Sequence, residues 1–282
     1  MDESLRLRII WARLLRSRRG LAGLLILSCI LLMAVCAPWL TAYDPLEQHL
    51  PDRRQPPTWQ HPMGLDEVGR DNLSRVIHGA RLSLRIGVTA ASLALIAGGL
   101  LGAAAGYRGG WIDSLLTSLM DVMQAFPSLL LAIAVIVVLG RGLTNALYAV
   151  ALAQVPTYAR LMRVGVLKAK GRGYVEAARV AGASPLRLLW RHILPECLPA
   201  LQTQVIAGIG TVILEVAGLS FLGLGVQPPT PEWGAMIAQG RGAILSAPHI
   251  VLFPGLAMTL TMLGFNLLGD GLRDATDPRL EV

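Results

Sequence analysis

Residues 176–195, Glu-Ala-Ala-Arg-Val-Ala-Gly-Ala-Ser-Pro-Leu-Arg-Leu-Leu-Trp-Arg-His-Ile-Leu-Pro, form a basic, partly polar segment between two long apolar stretches. The segment divides into two short predicted helices. Residues 174–181 favour the first helix, and Gly182 follows where a left-handed C-terminal cap costs least, because glycine has no Cβ. Ser184 can cap the second helix, and Pro185 suits its first turn, which needs no backbone N–H. We expect a membrane protein that folds such an element outside the bilayer to dock a partner there.

The second helix, predicted over residues 185–194, is amphipathic and should lie at the membrane surface. Its apolar face is predicted to consist of Leu186, Leu189, Trp190 and Ile193, and its opposite face of Arg187 and Arg191. In the first helix, Ala177 and Ala178 follow Glu176. Such small side chains would let another protein approach closely, which bulky side chains would prevent.

The composition indicates an integral membrane protein. The 282 residues are 54% hydrophobic and 15% charged, with a mean hydropathy of +0.55; soluble domains are about 25% charged. The apolar stretches lie near residues 21–40, 84–106, 115–139, 143–162, 197–222 and 249–269. Each approaches or exceeds the ~20 residues that a transmembrane helix needs. The sequence therefore predicts an all-α integral membrane fold with six transmembrane helices.

The distribution of Lys and Arg predicts the orientation of these helices. If the N-terminus is cytoplasmic, 17 of the 25 basic residues fall on the cytoplasmic side and eight on the other side. Cytoplasmic loops carry such an excess. We therefore expect both termini in the cytoplasm. The net charge of +7 is explained by topology rather than by nucleic-acid binding, because the basic residues are scattered around the apolar stretches.

Four separated motifs carry a resemblance to a known family. Glu176-Ala177-Ala178, then Gly182, then Leu194-Pro195 resemble the cytoplasmic coupling loop of bacterial ABC-importer permeases. The other three motifs are HPMGLDEVGRDNLSR at 61–75, LSFLGLGVQPPTPEWG at 219–234 and FNLLGDGLRDATDPR at 265–279. These are similar to the second permease subunit of dipeptide, oligopeptide and nickel importers. The similarity extends from about the first apolar stretch to the end of the sequence.

This resemblance implies a fold, a docking site and partners. The fold would be that of type I ABC-importer permeases in the bacterial inner membrane, with a coupling helix between transmembrane helices 4 and 5. The residues that would dock an ATPase are Glu176, Ala177, Ala178, Gly182 and Ala183. The partners would be a second, homologous permease subunit, two ATPase subunits and a periplasmic substrate-binding protein. The chain itself would bind no cofactor, and ATP and Mg²⁺ would belong to the ATPase subunits.

The expected domain organisation follows these assignments. Residues 1–80 would comprise an amphipathic cytoplasmic segment, the first transmembrane helix and a periplasmic loop. Residues 81–270 would form the transmembrane core, with the coupling loop at 171–195. Residues 271–282 would form a cytoplasmic tail.

Missing motifs exclude the main enzyme classes. A phosphate-binding loop ends in Gly-Lys-Ser/Thr, but Lys168 is followed by Ala169 and Lys170 by Gly171. The sequence also lacks His-Glu-x-x-His and Gly-x-Ser-x-Gly. A membrane enzyme is therefore disfavoured, and ATP hydrolysis is expected in separate subunits.

Two acids inside apolar stretches support an alternative function. Asp121 and Glu215 would each cost about 2.5–3.5 kcal/mol to insert into a bilayer. They could line a substrate pathway, or couple an ion gradient to transport in a secondary transporter. They could equally form structural pairs near helix breaks, and this interpretation is favoured.

The sequence leaves the substrate open between peptides and nickel or metal chelates. No two histidines have the i, i+4 spacing of a helical metal site. His49 and His61 could share the periplasmic loop. Its segment 66–71 could bind a ligand or a partner, but a hydrogen-bonded structural loop is favoured.

Two features predict how the helices pack. Gly98, Gly102 and Gly106 recur at intervals of four residues, which in a bilayer forms a surface for close helix contact. Pro127 removes a backbone hydrogen bond and should kink the third transmembrane helix.

Overall fold

The computed structural model describes residues 3–276. Part of the predicted C-terminal tail, residues 277–282, lies outside this range. The helices are α1 (Glu3–Arg16), α2 (Arg18–Val35), α3 (Ala37–Leu40), α4 (Asn72–Arg108), α5 (Gly110–Gln124), α6 (Ser128–Leu139), α7 (Leu143–Lys170), α8 (Gly173–Val180), α9 (Pro185–Leu188), α10 (Leu194–Phe221), α11 (Trp233–Gly240) and α12 (His249–Thr276). Short 3₁₀ turns cover Leu50–Asp52 and Arg241–Ala243. Between residues 3 and 276 there is no strand, so the predicted all-α fold is confirmed.

Four helices are long and apolar enough to cross a membrane: α2, α4, the continuous helix Pro185–Phe221, and α12. Helices α5 and α6 qualify together as one span, bent by 95°. The remaining predicted span, residues 143–162, falls on α7, which is helical but is not among the candidates because polar residues interrupt it. The count of six spans therefore stays a prediction.

The bend between α5 and α6 is sharper than the predicted kink. Helix α5 ends at Gln124, and Pro127 adopts an extended conformation (φ −53°, ψ 135°) at the N-terminus of α6. Proline cannot continue the hydrogen-bond ladder, and it disfavours a helical conformation at the residue before it. The span is therefore broken rather than merely curved.

The predicted separate helix over residues 185–194 is wrong. Helix α9 passes through a π-helical turn, Leu189–Ile193, directly into α10. The predicted apolar face is divided: Ile193 is buried and Leu189 half-buried in the core, whereas Leu186 and Trp190 are 69% and 64% exposed. The π-helical turn changes the angular spacing of side chains, which a regular helical pattern does not anticipate.

The glycine row of α4 packs against α7, as predicted. A Cβ at Gly98 would lie 2.5 Å from the carbonyl oxygen of Val155, and one at Gly106 would lie 2.9 Å from that of Arg163. The backbones of α4 and α7 are therefore in direct contact. This close pairing positions the ends of both helices beside the loop at 171–195.

The loop at residues 66–71 is a hydrogen-bonded structural element, as predicted. The Asp66 carboxylate accepts from the backbone N–H groups of Val68 and Arg70 and from Arg70 Nε at 2.6 Å. Arg70 Nη2 donates to Gln239 Oε1 in α11 at 2.7 Å. Asn72 Nδ2 donates to the carbonyl oxygen of His249 at 3.0 Å. The network fastens the start of α4 to α11 and α12.

The domain boundaries expected at 80/81 and 270/271 fall inside helices. Helix α4 begins at Asn72 and α12 continues to Thr276. The division into segments stays a prediction.

Candidate functional site

The corner between α8 and α9 has the predicted geometry. Gly182 adopts φ +84°. Its N–H donates to the carbonyl oxygen of Arg179, and the N–H of Ala183 donates to that of Ala178, both at 3.0 Å. This pair of bonds is the Schellman motif, which terminates a helix at a left-handed residue. A Cβ at Gly182 would meet no atom within 4 Å, so the backbone conformation, and not space, requires glycine there.

The second half of the corner is capped as predicted. The Ser184 hydroxyl accepts from the N–H of Arg187 at 3.4 Å, and Pro185 occupies the first turn of α9. Only four residues separate the end of α8 at Val180 from the start of α9 at Pro185, and both ends are capped. The direction in which the chain turns is therefore fixed.

The corner presents an exposed surface. Of the residues predicted to dock a partner, Glu176, Ala177 and Gly182 are exposed, while Ala178 and Ala183 are half-buried against the core beneath. Sequence reasoning missed Val180, which is 84% exposed. The sequence feature that could have identified Val180 is an aliphatic side chain within a basic, polar segment.

Buried apolar side chains hold the corner in place. Val175, Leu188 and Ile193 are at most 2% exposed and share one core cluster with Val166 and Ala169 of α7. Full burial of such side chains contributes about 1.5–3 kcal/mol each. These buried side chains therefore support the exposed surface of the corner.

Polar contacts fasten the corner to the end of α4. The Tyr107 hydroxyl donates to the carbonyl oxygen of Pro185 at 3.0 Å. Lys170 Nζ donates to the carbonyl oxygen of Tyr107 at 2.7 Å. The ends of α4 and α7 are thus tied to the start of α9.

A second group of polar contacts ties α8 to α10. Arg172 Nη2 lies 2.6 Å from Glu196 Oε1. The single proton of the Tyr174 hydroxyl is shared between two acceptors, the Glu196 carboxylate and the carbonyl oxygen of His192, the latter at 3.1 Å. Burial, with the hydrogen bond and charge of Glu196, raises the pKa of Tyr174 to about 12. The hydroxyl therefore stays protonated at neutral pH and serves as a donor.

Asp121, the first intramembrane acid, forms an ion pair between two helices. Its Oδ1 lies 2.8 Å from Arg160 Nη2 of α7, and both side chains are about half exposed. One helical turn away on α7, Arg163 Nε lies 2.5 Å from Asp113 Oδ1. The two pairs join α5 to α7, which fits the structural interpretation of Asp121.

Glu215, the second intramembrane acid, belongs to a separate network of neutral donors. Its Oε1 accepts from Ser128 Oγ at 2.6 Å, and both of its oxygens lie 3.0 Å from Gln154 Nε2. Glu215 is 9% exposed. The network joins α6, α7 and α10 beside the break at Pro127. Sequence reasoning identified the acid but could not identify its partners.

The histidines of the predicted outer loop, residues 41–71, are separately paired. His61 Nδ1 lies 2.9 Å from Asp71 Oδ1, and His49 Nε2 lies 3.3 Å from Glu47 Oε1. Across residues 3–276, no group of three or more His, Cys, Asp or Glu side chains could hold a metal ion.

Comparisons with known proteins identify the family. Residues 98–282 match the model of the binding-protein-dependent transport system inner membrane component. Residues 6–57 match the N-terminal transmembrane domain of oligopeptide transport permease C.

Curated relatives cover nearly the whole chain. The di/tripeptide transport system permease protein DppC of Pseudomonas aeruginosa is 46% identical over 98% of this chain and 93% of its own length. The dipeptide permease DppC of Alkalihalophilus pseudofirmus is 45% identical over 95% of this chain and 88% of its own length. The glutathione permease GsiD of Escherichia coli O6:K15:H31 is 45% identical over 96% of this chain and 90% of its own length.

Solved structures share the fold. The inward-facing methionine ABC transporter MetNI aligns with a TM-score of 0.58 and 18% identity, over 73% of this chain and 98% of the other. An amino acid ABC transporter aligns with a TM-score of 0.56 and 16% identity, over 72% and 94%. These likenesses establish the type I ABC-importer permease fold. The chain therefore belongs to the family of binding-protein-dependent transport system inner membrane components, the permease subunits of ABC importers, and is not itself an enzyme.

Proposed function

We propose that this chain is one of two permease subunits in an ATP-driven importer of small peptides. It would form half of the translocation pathway in the bacterial inner membrane. The observation that carries the proposal is the exposed corner at Gly182, which is fixed to α4, α7 and α10 by buried apolar and polar contacts.

The proposed docking residues are those of the exposed corner and its support. They are Glu176, Ala177, Ala178, Gly182 and Ala183, with Val180 added from the structure. When ATP closes the ATPase subunits, the corner would move with them. Because the corner is tied to three long helices, its displacement would be transmitted to the transmembrane core.

The proposed substrates are dipeptides, tripeptides and compounds such as glutathione. The support is that relatives at 45–46% identity are named as permeases of exactly these compounds. Nickel was the other substrate that the sequence left open. It has less support, because the outer-loop histidines pair with acids and no metal-binding group occurs in the described residues.

The proposed partners are a second, homologous permease subunit, two ATPase subunits and a periplasmic substrate-binding protein. Both termini of this chain would lie in the cytoplasm. ATP and Mg²⁺ would bind to the ATPase subunits, and this chain would bind no cofactor. The family description, which names a binding-protein-dependent system, supports the binding protein as a partner.

The ion-gradient alternative is less well supported. Asp121 is neutralised by Arg160, and Glu215 is held by Ser128 and Gln154. Both acids therefore have structural roles that explain why they lie in apolar segments.

Reconstitution tests the proposal. The chain, its second permease and the two ATPases would be placed in liposomes, with the binding protein outside and ATP inside. We expect uptake of radiolabelled dipeptide that requires ATP, the ATPases and the binding protein. Uptake by this chain alone, driven by a proton or sodium gradient, would contradict the proposal.

A further inference from the structure

The buried side chain of Leu14 docks the N-terminal helix α1 onto the core. Leu14 is 2% exposed. A Cβ at Gly20 would lie 2.5 Å from Leu14 Cδ1, and one at Gly271 would lie 3.1 Å from the same atom. Leu14 therefore sits where the start of α2 meets the end of α12, and it needs glycine on both sides.

The chain turns sharply between α1 and α2. Ser17 adopts an extended conformation (φ −74°, ψ 122°), and its hydroxyl accepts from the N–H of Gly20 at 3.3 Å. Helix α2 is a candidate membrane span that begins at Arg18. Helix α1 therefore lies directly next to the point where the chain enters the membrane.

One side of α1 carries exposed apolar residues. Trp11 is 53% exposed and Leu15 is 49% exposed. They are four residues apart, so they lie on the same helical face. This face adjoins the one that docks through Leu14. Tryptophan is enriched at membrane–water interfaces, where its ring spans the polar and apolar regions.

Basic residues surround this apolar face. Arg8, Arg16, Arg18 and Arg19 are exposed. No described carboxylate lies within salt-bridge distance of any of these four side chains. Arginines next to a transmembrane helix attract anionic phospholipids, because their guanidinium groups bind phosphate oxygens.

We infer that α1 is an anionic-lipid-binding helix. Trp11 and Leu15 insert at the boundary of the acyl chains, and the four arginines contact lipid phosphate groups. The occupant is a lipid surface rather than a protein because the exposed face combines aromatic and basic side chains and begins at the membrane entry point of α2. Through Leu14, bound lipid would also hold the junction of α2 and α12. The inference goes beyond the proposed function and depends on neither the substrate nor ATPase docking.

Hydrogen exchange of the full chain in nanodiscs tests this inference. One nanodisc would contain only phosphatidylcholine, and the other would also contain phosphatidylglycerol. We expect the amides of residues 9–16 to exchange several-fold more slowly in the anionic nanodisc. High salt should remove most of this difference, because it screens exposed charges.

Variants separate lipid binding from a change in folding. The triple variant Arg16→Gln/Arg18→Gln/Arg19→Gln should lose the difference between the two nanodiscs, while exchange in α7 stays unchanged. The control Arg53→Gln alters an exposed arginine of the outer loop and should keep the difference. Equal exchange of wild-type α1 in both nanodiscs, or a triple variant that behaves like wild type, would overturn the inference.

Discussion

Gly102 of α4 lies directly against the backbone of Ala159 of α7. A Cβ at Gly102 would overlap the carbonyl oxygen of Ala159 and would lie 2.9 Å from Met162 Cβ. Lipid tails are as apolar as side chains, so close backbone packing supplies much of the attraction between helices in a bilayer. The contact at Gly102 therefore fixes the distance between two helices whose ends support the corner at Gly182.

Gly102→Ala should destabilise the folded subunit by about 1–3 kcal/mol, the usual cost of overpacking, and Gly102→Leu should destabilise it more. Insertion into the membrane should be less affected than assembly. Gly99→Ala is the matched control, because a Cβ there would lie 3.7 Å from Met162 Cε, an ordinary contact distance. Thermal unfolding in detergent and the yield of assembled complex measure both effects. Normal assembly and transport by Gly102→Leu would refute the packing account.

The sequence predicted the structural features that are determined by the type and spacing of a few residues. The left-handed conformation of Gly182, the Ser184 cap and the packing of the Gly102 row all follow from residue type and spacing. The broken span at Pro127 was predicted only as a kink, because proline dictates a lost hydrogen bond but not the 95° angle. That angle depends on what the two halves pack against.

The acid Glu215 was visible in the sequence, but its network was not. Its donors, Ser128 and Gln154, are separated from it by 87 and 61 residues. No local pattern relates such positions. For the same reason, the continuity of α9 with α10, and with it the exposure of Trp190, could not be obtained from a regular helical period.

Replacing Glu215 distinguishes a structural acid from a coupling acid. Glu215→Gln retains an oxygen that can accept from Ser128 or Gln154, so ATP-dependent transport should remain close to wild type. Glu215→Leu should destabilise the protein by at most about 1–3 kcal/mol for each donor left unpaired, because Ser128 and Gln154 are only half-buried. Peptide uptake and thermal unfolding would be measured together. Abolished transport in a stably folded Glu215→Gln protein would favour the ion-coupled alternative.

Glu232, which caps α11, should make stability depend on pH. Its carboxylate is 2% exposed and accepts from the N–H groups of Gly234 and Ala235 at 2.9 Å. Burial raises the pKa of Glu232 above its usual 4.5, although these hydrogen bonds partly oppose the shift. A raised folded-state pKa means that the folded state binds the proton more tightly than the unfolded state.

The contribution of Glu232 to stability is therefore full below pH 4.5 and is lost as pH rises through the folded-state pKa. Relative to Glu232→Gln, the wild type should lose stability as pH rises from 4.5 towards neutral. Unfolding midpoints of the two proteins across this range provide the measurement. A constant difference between the two unfolding midpoints at every pH would show that the pKa of Glu232 is not raised.

Cysteine labelling tests the orientation. Trp59 is fully exposed in the predicted outer loop, and Val180 is 84% exposed at the corner between α8 and α9. In a background without native cysteines, an impermeant thiol reagent added outside the cell should label Trp59→Cys and miss Val180→Cys. Disrupted cells should show labelling at both positions. The reverse pattern in intact cells would place the termini outside.

Gly182→Val tests most directly whether the corner at Gly182 docks the ATPase, as proposed. Any non-glycine residue at φ +84° adopts a left-handed conformation at a cost of about 1–2 kcal/mol. Glu176→Lys tests the same surface by reversing an exposed charge. The matched control is Gly223→Val, which places the same residue at a similar positive φ of 75° outside the predicted docking loop.

The decisive measurement is the amount of ATPase that co-purifies with each variant from membranes containing equal amounts of permease. Gly182→Val and Glu176→Lys should lose most of the bound ATPase and of peptide transport, at near-normal expression. Gly223→Val should retain the ATPase. Wild-type ATPase binding and transport in both docking variants would contradict the account.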